Sequence, residues 1–138
     1  MLGRHQGWVL LVGAASILLG LTRPKPARAI DESDFCVVAK RVAAASAQDI
    51  GNWTDRVTRN AGMVVTCDKK RVEFRRFTYE PSSAMTAEWK ARKAADWNAT
   101  HCASAVWKEA IRDGWKVVLS VTPVDKRHVE MVAQCPGT

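Results

Sequence analysis

Few residues in this chain are spaced for covalent chemistry. The four thiols are Cys36, Cys67, Cys102 and Cys135. No C-x-x-C pair and no H-x(3–5)-H spacing occurs, so no zinc-ligand set is indicated. His101 stands beside Cys102, which invites a thiol–imidazole reading. Adjacency in sequence is not convergence in space, and a polar residue at a helix end is the plainer account. His128 falls on the strand face opposite Val129 and Met131 and is expected to meet solvent. No G-x-S-x-G elbow, phosphate loop, dinucleotide glycine fingerprint or H-E-x-x-H motif is present. The acids Glu73, Glu80, Glu88, Asp96, Glu109 and Glu130 are scattered singly among basic residues, with no pair marked for glycosidase work. No catalytic residue, metal or cofactor is therefore assigned.

Two groups of residues suggest binding instead. Lys69, Lys70, Arg71, Arg75 and Arg76 form a basic cluster that could meet an acidic protein, an anionic glycan or a lipid headgroup. Strand alternation puts Arg71 and Arg75 opposite Val72 and Phe74. The plainer account is a solvated hairpin whose lysines deter edge pairing. Trp89, Lys93, Asp96 and Trp97 share one side of an expected helix. Polar groups between two indoles could line a ligand groove, with Lys93 near an indole face. The competing account is two core tryptophans with long polar chains reaching past them to water.

These residues need a scaffold, and the ends of the chain say which part supplies it. Of 138 residues, 47% are hydrophobic and 25% charged, the balance of one globular domain. Arg4 is followed by an uncharged run, Trp8–Leu21. That run is shorter than the ~20 residues of a comfortable membrane span. With Ala27-Arg28-Ala29 after it, the segment reads as a signal peptide, residues 1–29, cleaved after Ala29. An uncleaved anchoring helix is the alternative. No cysteine follows the run closely, so a lipid anchor is not expected. Removing 29 of the 138 residues leaves 109, residues 30–138, as a single exported domain. The cut takes four of the 21 basic residues and none of the 14 acids, so the net charge falls from +7 to +3. A nucleic-acid partner loses much of its support, and no stable membrane span is expected after cleavage.

Periodicity gives the elements. Phe35, Val38, Ala39, Val42 and Ala45 recur at helical spacing between Ser33 and Ala47. Trp53–Thr58, Met63–Cys67 and Arg71–Arg75 read as three antiparallel strands, with turns at Arg59-Asn60-Ala61-Gly62 and Asp68-Lys69-Lys70. A helix is expected over 84–100, capped by Ser82 or Ser83, and a short one after Ser104, ended by Gly114. Trp115–Thr122 and Arg127–Cys135 alternate as a final hairpin. The class is α+β: antiparallel strands, a meander plus a C-terminal hairpin, with about three helices. The sequons at Asn52 and Asn98 are treated as chance matches.

Exported cysteines usually pair, and four allow three connectivities. Cys36 and Cys67 are 31 apart and Cys102 and Cys135 are 33 apart, each pair running from a helix to a strand end. This loose symmetry favours Cys36–Cys67 and Cys102–Cys135.

The second half resembles a group of small exported bacterial proteins of uncharacterised function. The carrying residues are Trp97-Asn98 ahead of Cys102, then Ala110-Ile111-Arg112-Asp113-Gly114-Trp115, then the hairpin ending at Cys135. The resemblance covers about the last 40 residues, and the first half more loosely. It implies a periplasmic or secreted, disulfide-bonded α+β domain and brings no catalytic residues. The expected function is a non-enzymatic interaction or accessory role in the bacterial cell envelope. The expected partner is a protein or an anionic envelope component. A small hydrolase acting on an envelope polymer is the alternative, to be recognised by a pocket holding two carboxylates or His101 with an acid.

Overall fold

The computed structural model describes residues 32–138, so the expected signal peptide lies outside the described residues. The order of elements is α1 (Glu32–Ser46), β1 (Thr58–Thr66), β2 (Arg71–Thr78), α2 (Ala87–Cys102), α3 (Ala105–Arg112), β3 (Lys116–Thr122) and β4 (Val129–Val132). Among the described residues, four strands form one sheet in the order β1-β2-β3-β4. With three helices beside it the class is α+β, as the periodicities indicate. No helix among the described residues is long and apolar enough to cross a membrane.

The sheet is mixed where an antiparallel one was expected. β1 pairs antiparallel with β2, and β3 with β4, but β2 and β3 run parallel, with Val72 opposite Val117 and Phe74 opposite Leu119. A parallel pair needs a long crossover, and α2 and α3 supply it. The expected three-stranded meander is a single hairpin. Arg59–Gly62 does not reverse the chain but lies inside β1, where the register slips between Asn60 and Gly62. Gly62 has φ +106°, and its amide donates to Asn60 Oδ1 at 3.0 Å. The Asn and Gly that look like turn chemistry thus serve a β-bulge, which calls on the same positive φ. Trp53 contributes one isolated bridge, to Arg59.

The helices cover one face of the sheet. Val72, Met63, Val65 and Phe74 pack with Phe35, Cys36 and Ala39 of α1, with Trp107 and Ala110 of α3, and with Trp115. Leu119, Val121, Val129 and Met131 pack with Met85 and with Trp89, Ala94 and Trp97 of α2. The buried face of α1 is rotated from the expected one. Ala39 is fully buried, while Val38 and Val42 are 44% and 40% exposed. The Cys36–Cys67 bond turns the Phe35-Cys36-Ala39 side toward the end of β1.

Both expected disulfides are present, Cys36–Cys67 with Cα atoms 5.7 Å apart and Cys102–Cys135 with 5.4 Å. The two halves are less alike than the spacing suggests. Cys36 and Cys67 enclose one strand, whereas Cys102 and Cys135 enclose α3 and two strands. Gly114 (φ +93°) follows α3 as expected.

Candidate ligand-binding site

A cavity of about 240 Å³ lies between α2, the helix-facing side of the sheet and the loop before β1. Trp89, Lys93, Asp96 and Trp97, the four residues grouped by helical spacing, all line it. Thr86 caps α2, its hydroxyl accepting from the Trp89 amide at 3.2 Å. The helix therefore starts later than Ser82 or Ser83 would give. From that start, Trp89, Lys93 and Trp97 rise at intervals of four along one side. Trp97 is fixed further in. Its indole N–H donates to the Val117 carbonyl at 3.1 Å, and its ring meets Phe74 edge-on at 5.1 Å. The floor is Leu119 and Val121.

The opposite wall was not singled out by the sequence. Thr54, Asp55 and Thr58 form it. Their loop is tied by its own bonds, with the Thr54 amide on the Thr58 carbonyl at 2.8 Å and the Val57 amide on Asp55 Oδ1 at 2.9 Å. The Tyr79 amide holds the Val57 carbonyl at 2.9 Å, which anchors the loop to the end of β2. Asp55 faces Lys93 across the mouth at 3.9 Å. Burial works to raise the Asp55 carboxyl, but the Val57 amide, the Thr58 hydroxyl and Lys93 together hold it below the usual range.

The basic cluster is divided by the sheet. Arg71 and Arg75 lie on the face away from the helices, among acids. Arg71 bonds Glu130 at 2.7 Å and approaches Glu73 at 3.5 Å, while Arg75 bonds Glu73 at 3.1 Å. Lys70 Nζ donates to the Asp113 carbonyl at 3.0 Å, and Lys69 is exposed. Arg76 points the other way and lines the cavity. Two separate sequence candidates thus meet at one residue.

The open sheet face also gathers Glu73, His128 and Glu130, with ligand atoms within 4.8 Å of one another. Burial favours a raised Glu73 carboxyl, yet Arg75, the Ser120 hydroxyl and Arg71 hold it low. Positive charge a metal would bring already comes from the two arginines. Ser120 Oγ and Glu130 Oε1 both approach the same His128 nitrogen, Nε2, at 3.1 and 3.3 Å. A relay needs the acid on the other ring nitrogen, so this group is not a hydrolytic triad.

His101 is structural. It is 5% exposed, its Nδ1 N–H donates to the Trp97 carbonyl at 2.9 Å, and Phe74, Trp97 and Trp107 surround the ring. Burial disfavours its charged form and lowers its pKa, outweighing the Trp97 carbonyl. Below about pH 6.5 the unfolded chain then takes up a proton that the folded chain resists. Stability should fall as pH drops from 6.5 toward the folded pKa, by at most about 1.4 kcal/mol per pH unit. Urea midpoints at pH 7.5 and 5.5 check this: His101→Phe should remove most of the difference. An equal difference in the variant would refute the assignment. Asp55 and Glu73, with lowered values, act in the acid range below this window.

No protein-family model matches the chain, and no curated protein matches it. Two solved structures share its fold. One is a Pseudomonas aeruginosa protein described as secreted, with TM-score 0.59 and 10% identity over 76% of this chain and 93% of that one. The other is the pilotin of the Vibrio vulnificus type 2 secretion system, with TM-score 0.55 and 10% identity over 75% of this chain and 90% of that one. At such identity the likeness is one of fold.

Proposed function

We propose that this chain is a non-enzymatic accessory protein of the bacterial cell envelope, exported to the periplasm or beyond. It works by binding a partner at the cavity along α2. The observation that carries the reading is the composition of that cavity. Indole and aliphatic walls are joined to a few fixed polar groups, the usual make-up of a binding site. The fold shared with a pilotin and with a protein described as secreted supports the setting. Two disulfides support an oxidising compartment. The sequence resemblance to small exported bacterial proteins points the same way.

The hydrolase alternative has one observation in its favour, since Asp55 and Asp96 line the same cavity. A general acid at neutral pH needs a raised pKa, and Asp55 is held low. The test is capture from envelope extracts by the oxidised protein and by Trp89→Ala. A specific partner held by the first and lost by the second is the expected result. Release of soluble fragments from purified envelope polymer, abolished by Asp55→Asn, would replace this reading with the hydrolase.

A further inference from the structure

Arg76 is a half-buried cation on the lining of this cavity. Its Nη1 donates to Asn60 Oδ1 at 2.7 Å and to the Arg75 carbonyl at 3.0 Å. Among the described residues, no carboxylate lies within ion-pair distance of it. The other arginines of β2 are each matched to a glutamate. Arg59 lies over the Trp53 ring at 4.1 Å. Burial lowers the Arg76 pKa, a sign that water is partly stripped from the guanidinium. Holding a desolvated charge without a counter-ion is costly, and here the charge lines a cavity whose floor is aliphatic.

We infer that the cavity takes a small apolar ligand ending in a carboxylate, with the anion on Arg76 and the body against Trp89, Trp97, Leu119 and Val121. The inference rests on the reading of this cavity as the binding site and names the ligand class. A guanidinium fork matches a carboxylate with two parallel bonds. Local pairing favours a monoanion. Asp55 is matched by Lys93, and Arg76 has no carboxylate within ion-pair distance among the described residues. The guanidinium thus offers one unmatched charge, although Asp96 on the same lining brings the formal sum of the cavity to zero. A phosphate monoester would bring nearly two beside the Asp96 carboxylate. Size is consistent as well. Sites for drug-sized ligands run from about 300 to 1,000 Å³, so about 240 Å³ suits a fragment with one ring or branched chain.

The test uses the oxidised full chain, with indole fluorescence and calorimetry as readouts. The probes are 4-phenylbutyrate, N-acetylphenylalanine, N-acetylphenylalanine amide and phenyl phosphate. At least one of the two acids should bind at least tenfold more tightly than the amide. Arg76→Gln should reduce that acid to the amide's level and leave the amide unchanged, while Arg76→Lys should recover part of the loss. The stronger of the two acids tells whether the carboxylate comes from a free acid or an acylated amino acid. Equal binding of acids and amide overturns the anion assignment, with no variant needed. Tighter binding of phenyl phosphate overturns the choice of carboxylate. No binding of either acid at millimolar concentration overturns the ligand class. Partner capture with Trp89→Ala judges the cavity itself, so the two failures are separable.

Discussion

Replacing Cys102 and Cys135 together by alanine should lower the stability of the fold by roughly 3–4 kcal/mol, the entropy of closing a loop of this length in the unfolded chain. The residues are 33 apart. The bond joins the last turn of α2 to the chain just beyond β4, a strand of four residues at the edge of the sheet. Beyond β4 the chain is otherwise held by few bonds. The Gln134 amide donates to Asn98 Oδ1 at 2.8 Å, and the Ala133 amide to the Val117 carbonyl at 2.8 Å. The loss should therefore appear first as fraying of the C-terminal strand. Small domains have about 5–15 kcal/mol to lose, so the change is a large fraction of the total. Urea unfolding of the oxidised protein and the double variant checks it. A change below about 1 kcal/mol would show that the C-terminal strand is held by its contacts alone.

That pairing was legible because two separations of similar length each joined a helix to a strand end. Local alternation was equally legible. A period of two puts Val72 and Phe74 on one face of β2. It puts Val117, Leu119 and Val121, with Trp115 just ahead of them, on one face of β3. The pairing of the two strands brings both sets to the helix-covered side of the sheet, although in β3 Val118 and Ser120 on the other side are buried as well. What local signals could not carry was the neighbour of β2. The parallel contact of β2 with β3 joins residues on either side of two helices, and nothing in either strand specifies it. The bulge at Asn60–Gly62 was hidden for a different reason, since turns and bulges use the same residues. In α1, Val38 and Val42 fit an apolar stripe as well as Cys36 and Ala39 do. The disulfide, a distant constraint, decides between them.

The cavity was half visible. One wall, Trp89 to Trp97, is periodic and so can be read from a helix. The other wall comes from a loop whose shape depends on Asp55 and Thr58 bonding within it. Arg76 sat in view inside a basic run, but its meaning depends on facing away from Arg75. Alternation carries that difference, while charge counting erases it.

Trp115→Ala should cost about 3–5 kcal/mol, the range for truncating a large buried aromatic. Trp115 is 3% exposed and meets Phe35 edge-on, with ring centres 4.6 Å apart. Phe35 in turn meets Trp107 at 5.5 Å, so the ring joins α1, α3 and the start of β3. Trp53 offers the control. It is 54% exposed and lies beside Arg59 and Tyr79 at the surface, so Trp53→Ala should cost under about 1 kcal/mol. Similar urea midpoints for the two variants would show that Trp115 is not a core residue. Trp115 also shares its cluster with Cys36. Losing the Cys36–Cys67 bond and the indole together should therefore not be additive. Once the indole is gone, α1 has less to pack against, and the bond that orients α1 becomes worth a different amount. A double-mutant cycle should show a coupling of about 0.5–3 kcal/mol, as expected for groups sharing one core. Strict additivity would mean that the disulfide acts on the unfolded chain alone and that α1 is oriented by its remaining contacts.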